Sequence, residues 1–370
     1  MAHWIDSNEK LLLALQKLEM VDVLALDTEF IRTNTFYPKI ALIQISDGND
    51  CWLIDVLEIS DFTGLKKLLE DSSKTLIFHA CAEDLEVLDH ALNIIPKGIF
   101  DTQLAASLLN IGQSMGYAAL VKNLFDIELD KQETRSDWLA RPLTARQLDY
   151  AEVDVIYLHR IFSILQQQLS EIGRVGWLAE ELDALHRLVE GRKVNDNYYL
   201  RIKSAWKLES SSLRILKRLC DWREAVARDK NKPRGHIVKD NSIFEIARRA
   251  PAVLAQLNGI DDLHPGLIKR YGLDLLDQVV KASVDVLPPS LSQPLSKAET
   301  LVLRSMRDAL IVVANEEGIP AGTLFTKKEL EVVLRASAEG QDQWPDRYVV
   351  GWRGPLVRPI LEKVLAESRA

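Results

Sequence analysis

A chain of 370 residues, 47% hydrophobic and 27% charged, is long enough for two or three domains that each bury a core. No run of about 18 uncharged apolar residues occurs and MAHWIDSNEK has no signal-peptide pattern, which excludes a membrane-spanning helix and makes the cytoplasm the expected location. The net charge of −8 excludes a uniformly basic binder of polyanions, but it is unevenly spread: −15 over residues 1–191, +9 over 192–250, −2 over 251–295 and 0 over 296–370.

Taken in chain order, short apolar runs predict strands near residues 23–30, 40–46, 51–55 and 75–79, with helices following, and hence an α/β domain with a mixed sheet. The first strand contains LALDTEF. Asp27 and Glu29 are two apart, so on a strand they share a face and can reach one cation. Charge inserted into an apolar run is costly unless a metal or a partner compensates it. The strand TLIFHA is followed by EDLEVLDHAL, which places Asp84 in the first turn of a helix, where the dipole favours negative charge. His79, at that strand's end, fits a hydrogen-bonded packing residue better than a catalytic base.

The stretch TARQLDYAEVDVIYLHRIFSILQQQL reads as one long helix opened by a capping box, with Thr144 as N-cap and Gln147 three residues later. Tyr150 and Asp154 are four apart and stand one above the other on it, so a phenol lies beside a carboxylate. Each of these motifs is commonplace alone. Together they supply hard oxygen ligands for divalent cations, of which a pair can clamp the attacking and leaving oxygens of a phosphodiester. The three cysteines, Cys51, Cys81 and Cys220, have no metal-type spacing and are expected to be reduced thiols.

From about residue 208 the pattern is helical, with a break at LPPSLSQP. The two sides of the break repeat one another. PRGHIVKDNSIFEIA, from Pro233, and PAGTLFTKKELEVVL, from Pro320, match Gly235 with Gly322, Ile237 and Val238 with Leu324 and Phe325, Ile243 with Leu330 and Ile246 with Val333, all at an offset of 87 residues. Two copies of one helical module are implied. Trp206 and Trp222 lie at helical spacing and are read as core residues before stacking platforms.

LDTEF, HACAEDLEVL and LDYAEVDVIYL, in that order, resemble the three exonuclease motifs of the DEDD superfamily in its tyrosine-bearing branch. FYPKIALIQISDG, FDTQLAASLL and RSDWLARPLTARQLDYAEVDVIYL extend the resemblance to the bacterial ribonuclease D family over nearly the whole chain, and both helical repeats resemble HRDC domains. The second motif of the wider superfamily often carries Asn and an aromatic before its Asp, where this chain has His79 and Glu83.

The resemblance implies a ribonuclease H-like exonuclease domain over residues 1–190, a linker over 191–207, a first HRDC domain over 208–286, a second linker over 287–295 and an HRDC-like domain over 296–370. It implies 3′ to 5′ hydrolysis of RNA to nucleoside 5′-monophosphates, with tRNA precursors and other small structured RNAs as substrates and two divalent ions, Mg2+ or Mn2+, as cofactors. Asp27 would bridge the ions, Glu29 and Asp154 would complete the first, Asp84 would support the second, and Tyr150 would orient the attacking water. The basic segment leading into the first repeat is the expected place of RNA contact, and no membrane is a partner. The sheet and its helices lie upstream of about residue 207, so the exonuclease core is expected to fold without the rest. A DNA-directed proofreading or repair exonuclease would use the same carboxylates, whereas a non-catalytic RNA-binding scaffold would require a broken site, and all five positions are intact.

Overall fold

The computed structural model describes residues 2–130, 133–134, 136–191 and 197–369. Arg135, the first residue of the RSDWLARPL motif, and residues 192–196 of the expected linker lie outside them. The described chain forms two compact units. One contains the residues up to Ile31, Ile40–Glu190 and the chain from Leu295 on; the other contains Arg32–Lys39 and the described part of Gly191–Pro294.

The first unit is built on a six-stranded sheet: β1 (Ala2–Ile5), β2 (Val23–Ile31), β3 (Lys39–Ser46), β4 (Cys51–Asp55), β5 (Thr75–Phe78) and β6 (Ile99–Asp101), in the spatial order β1-β4-β3-β2-β5-β6. It is mixed, as the sequence implied: β1 runs parallel to β4, and β5 parallel to β2 and β6, while β3 is antiparallel to β4. The edge strands β1 and β6, of four and three residues, are too short to show an apolar period, and the sequence pattern missed both. Leu24, Ala25 and Leu26 of β2 and Ala41, Leu42 and Ile43 of β3 are fully buried, as strands covered on both faces should be.

Around the sheet lie α1 (Asn8–Leu18), α2 (Thr63–Leu69), α3 (Ala82–Leu92), α4 (Thr102–Leu108), α5 (Tyr117–Phe125), α6 (Ala145–Ile156), α7 (Leu158–Glu171) and α8 (Val175–Gly191). The segment expected to be one helix is therefore two, divided at Tyr157. Its start is as expected: the Thr144 hydroxyl accepts from the Gln147 N–H and the Gln147 side chain returns to the Thr144 N–H, which closes the capping box.

The approach to α6 is fixed by Arg141, whose guanidinium forks onto Asp55 at the end of β4, with contacts of 2.5 and 2.6 Å, and also donates to the Trp138 and Ala41 carbonyls. Asp55 is only 2% exposed. Arg141→Ala would leave that carboxylate buried without its cation, and we expect it to cost about 3 to 5 kcal/mol of stability, read by chemical denaturation. A loss below about 1 kcal/mol would mean that water replaces the guanidinium.

The second unit holds α9 (Ser210–Asp229), α10 (Arg234–Ile237), α11 (Asp240–Arg249) and α12 (Pro265–Lys281) around Leu213, Leu216, Leu219, Ile243, Ile246 and Leu275. The segment Arg32–Lys39, which leaves β2, belongs to this unit. Asn231 Oδ1 accepts the Phe36 and Tyr37 N–H groups at 3.0 Å each, and the Arg228 and Arg234 guanidiniums lie over the Phe36 ring. Several cations of the basic segment are thus structural, since Arg228 and Arg234 also pair with Glu224, and buried Arg223 pairs with Asp240. Trp222 packs edge-on against Tyr271 as a core residue should, whereas Trp206 is 37% exposed beneath Lys207, contrary to expectation.

The repeat is physical. After the break come α13 (Lys297–Glu316), α14 (Ala321–Leu324), α15 (Lys327–Ala338), α16 (Asp346–Val349) and α17 (Arg353–Glu367). The starts of α13, α14 and α15 follow those of α9, α10 and α11 by 87 residues, and Leu324, Leu330 and Val333 are buried like Ile237, Ile243 and Ile246. The second copy, however, shares the hydrophobic core of the first unit. Trp352 stacks on Trp177 of α8 at 4.1 Å, its backbone N–H donates to Glu180, and Arg353 pairs with Glu181. The exonuclease layers are thus not complete upstream of residue 207: a chain cut there would uncover Trp177 and leave two carboxylates without their partners.

Candidate active site

The apolar run of β2 ends at Leu26, and from there the strand's alternation decides which side chains meet. Asp27 and Glu29 are half-buried on one face, while Thr28 between them is buried on the other. Asp154, on α6, joins the first face. One carboxylate oxygen from each of Asp27, Glu29 and Asp154 lies within 4.8 Å of the others. Asp84, in the first turn of α3, is buried, and the Thr28 hydroxyl donates to its Oδ1. Thr28 therefore ties the second acidic motif to the first. No pattern in the sequence signals that role, because a threonine inside a strand is ordinary.

The charges do not compensate one another. Burial pushes Asp27 well above the ordinary carboxylate range, and the negative charges of Asp84, Asp154 and Glu29 raise it further. Glu29 is raised to about 9 by burial and by Asp154 and Asp84. Burial raises Asp154 to about 7, with the Tyr150 phenol beside it acting in the opposite direction, and raises Asp84 to about 6 against the Thr28 hydrogen bond. Protein atoms alone thus leave four carboxylates that resist ionising together. An all-oxygen donor set of this density fits hard divalent cations, whose charge would remove the repulsion.

Tyr150 lies one helical turn before Asp154, its ring 6.0 Å from that of Trp138 and its hydroxyl 3.3 Å from the Thr134 hydroxyl. Burial, followed by Asp154, raises its pKa above the ordinary phenol value, so it stays protonated at neutral pH. His79 is accounted for structurally. Its Nε2 is 2.9 Å from the Met115 carbonyl and its Nδ1 is 2.9 Å from the Thr102 hydroxyl, while burial lowers its pKa and favours the neutral ring. Asp101, at the end of β6, caps α4 through the Gln103 and Leu104 N–H groups and accepts the Cys81 N–H, which ties β6 to the entry of α3. All three cysteines are buried free thiols, and no helix among the described residues is long and apolar enough to cross a membrane.

Comparison with known proteins gives the family. Residues 2–170 match a 3′-5′ exonuclease family and residues 212–279 the HRDC domain family. The chain is 37% identical over 354 residues to ribonuclease D of Pseudomonas paraeruginosa, covering 95% of this chain and 94% of that one. It is 33% identical over 373 residues to ribonuclease D of Escherichia coli, covering 98% of each. The crystal structure of the Escherichia coli enzyme, described as an exoribonuclease involved in structured RNA processing, superposes with a TM-score of 0.90 and 31% identity over 99% of both chains. Members of this exonuclease superfamily use divalent metals, and the acidic cluster is in place for them here. The DNA-directed alternative is not favoured by relatives of this kind. With 3′-5′ exonuclease motifs, an HRDC domain and full-length relatives of one kind, the chain belongs to the ribonuclease D family of 3′–5′ exoribonucleases.

Proposed function

We propose that this exoribonuclease trims the 3′ ends of tRNA precursors and other small structured RNAs in the cytoplasm, releasing nucleoside 5′-monophosphates, with two Mg2+ or Mn2+ ions at the site. The observation that carries the reading is the convergence of Asp27, Glu29 and Asp154 within 4.8 Å, with Tyr150 one turn from Asp154. Asp27, Glu29 and Asp154 would hold one ion, and Asp27 with Asp84 the other. When bound, such ions polarise the phosphodiester, stabilise the charge on attacking and leaving oxygens and lower the pKa of water.

The chain's own groups do the rest. Thr28 fixes the rotamer of Asp84, so that this carboxylate needs no reordering when substrate arrives. Tyr150, kept neutral, offers a hydroxyl that orients a water toward the scissile phosphorus without removing its proton. RNA contact is assigned to the first HRDC domain, residues 208–286, because the +9 segment leads into it; residues 296–370, neutral overall, are assigned a packing role through Trp352 and Arg353.

Digestion of a tRNA precursor labelled at either end tests the proposal. The 3′ label should appear as mononucleotide from the earliest times, the 5′ label should shorten progressively, and EDTA should stop both. Cleavage of a circular RNA, or undiminished hydrolysis in excess EDTA, would overturn the reaction. Equal rates on matched RNA and DNA strands would overturn the substrate assignment.

A further inference from the structure

The division between α6 and α7 has no cause in its own sequence. Val153-Asp154-Val155-Ile156-Tyr157-Leu158 contains no proline or glycine, and the apolar pattern runs through it. A helix interrupted without such residues has a side chain or water inserted into its backbone ladder, or a bulge. Here the inserted group is identifiable. In a continuous helix the Tyr157 N–H would donate to the Val153 carbonyl, four residues back. Instead the Tyr117 hydroxyl stands between them, donating to the Val153 carbonyl at 2.8 Å and accepting the Tyr157 N–H at 3.3 Å. The backbone partner left to Tyr157 is the Val155 carbonyl.

Tyr117 is itself held. It is the first residue of α5, and its ring meets the His79 ring edge-on at 5.7 Å, while His79 is fixed by Met115 and Thr102. A rigid support therefore carries one hydroxyl into the ladder at the residue next to Asp154. We propose that Tyr117 is a positioning residue for the exonuclease reaction: its hydroxyl sets the direction of the last turn of α6 and so aims the Asp154 carboxylate at Asp27 and Glu29. The proposal rests on Asp154 being a cation ligand.

Tyr117→Phe separates the hydroxyl from the ring. It keeps the packing on His79 and lets the Tyr157 N–H close directly on Val153, so no backbone group is orphaned and the thermal midpoint should not fall. Groups that orient a metal ligand typically contribute about 10 to 100-fold in metal affinity or activity. For the full-length variant we expect kcat on a tRNA precursor to drop by about that factor at unchanged KM, and the Mn2+ dissociation constant, measured by calorimetry without RNA, to rise about tenfold. Asp154→Asn is the reference. Weakened Mn2+ binding in Asp154→Asn with wild-type Mn2+ binding and kcat in Tyr117→Phe would overturn the positioning role alone. Wild-type binding in both would overturn the ligand reading and the proposal with it. A lower melting temperature with unchanged kcat and Mn2+ affinity would reduce Tyr117 to packing and also overturn it.

Discussion

Asp27→Asn is expected to abolish turnover, by more than about 10²-fold, while leaving a folded and more stable protein in cation-free buffer. The loss is of the size seen when a single group that stabilises developing charge is removed; Asp154→Asn should behave alike. The stability gain follows from linkage. Asp27, Glu29, Asp84 and Asp154 all have folded pKa values raised above those of an unfolded chain. Between about pH 4, the ordinary carboxylate value, and about 9, the value for Glu29, these four groups therefore bind more protons in the folded state than in the unfolded one, and outweigh the opposing contribution of His79, which burial lowers. The wild-type protein in EDTA should lose stability as pH rises through that window, and divalent cations should restore it. The asparagine amide that replaces Asp27 carries no charge to repel its neighbours, so the variant's dependence should be shallower and its melting temperature higher at pH 8. Thermal unfolding in EDTA at pH 5 and pH 8 measures both. A wild-type protein that grew more stable between these values, or an Asp27→Asn variant with near-normal turnover, would show that these carboxylates are not the cation site.

The candidate site was legible in the sequence where local periodicity fixes geometry. Asp27 and Glu29 share a face because strand side chains alternate, and Tyr150 stands over Asp154 because helix positions four apart coincide. The capping box of Thr144 and Gln147, and the 87-residue repeat that reappears in the starts of α9 and α13, are likewise properties of short stretches. What stayed hidden depends on partners distant in the chain. The Thr28 hydroxyl finds Asp84 across 56 positions, and the Tyr117 hydroxyl divides α6 from α7 from 36 positions upstream. The same limit applies to the second helical copy: the exonuclease core was expected to fold without it because the sheet lies upstream, but the stack of Trp352 on Trp177 exists only once α8 and α17 are packed.

Tyr150→Phe is expected to lower turnover by about 10² to 10⁴-fold, the range for a positioned proton-transfer or orienting group, with little change in RNA affinity. The substitution keeps the ring near Trp138 and removes only the hydroxyl that faces Asp154 and Thr134. Burial and the Asp154 charge raise this phenol's pKa above its ordinary value, so across pH 7 to 9 it is a neutral hydroxyl. A neutral hydroxyl can hold a water by donating to it or accepting from it, but it cannot take the water's proton as a phenolate would. The ratio of wild-type to variant rates should therefore be the same at pH 7 and pH 9 under saturating Mg2+. If Tyr150 acted as a phenolate base, that ratio would instead grow about tenfold per pH unit until the phenol titrated. Single-turnover rates at three pH values, with RNA binding measured in parallel, decide between orientation and base catalysis, and equal rates for the two proteins would leave Tyr150 a packing residue of α6.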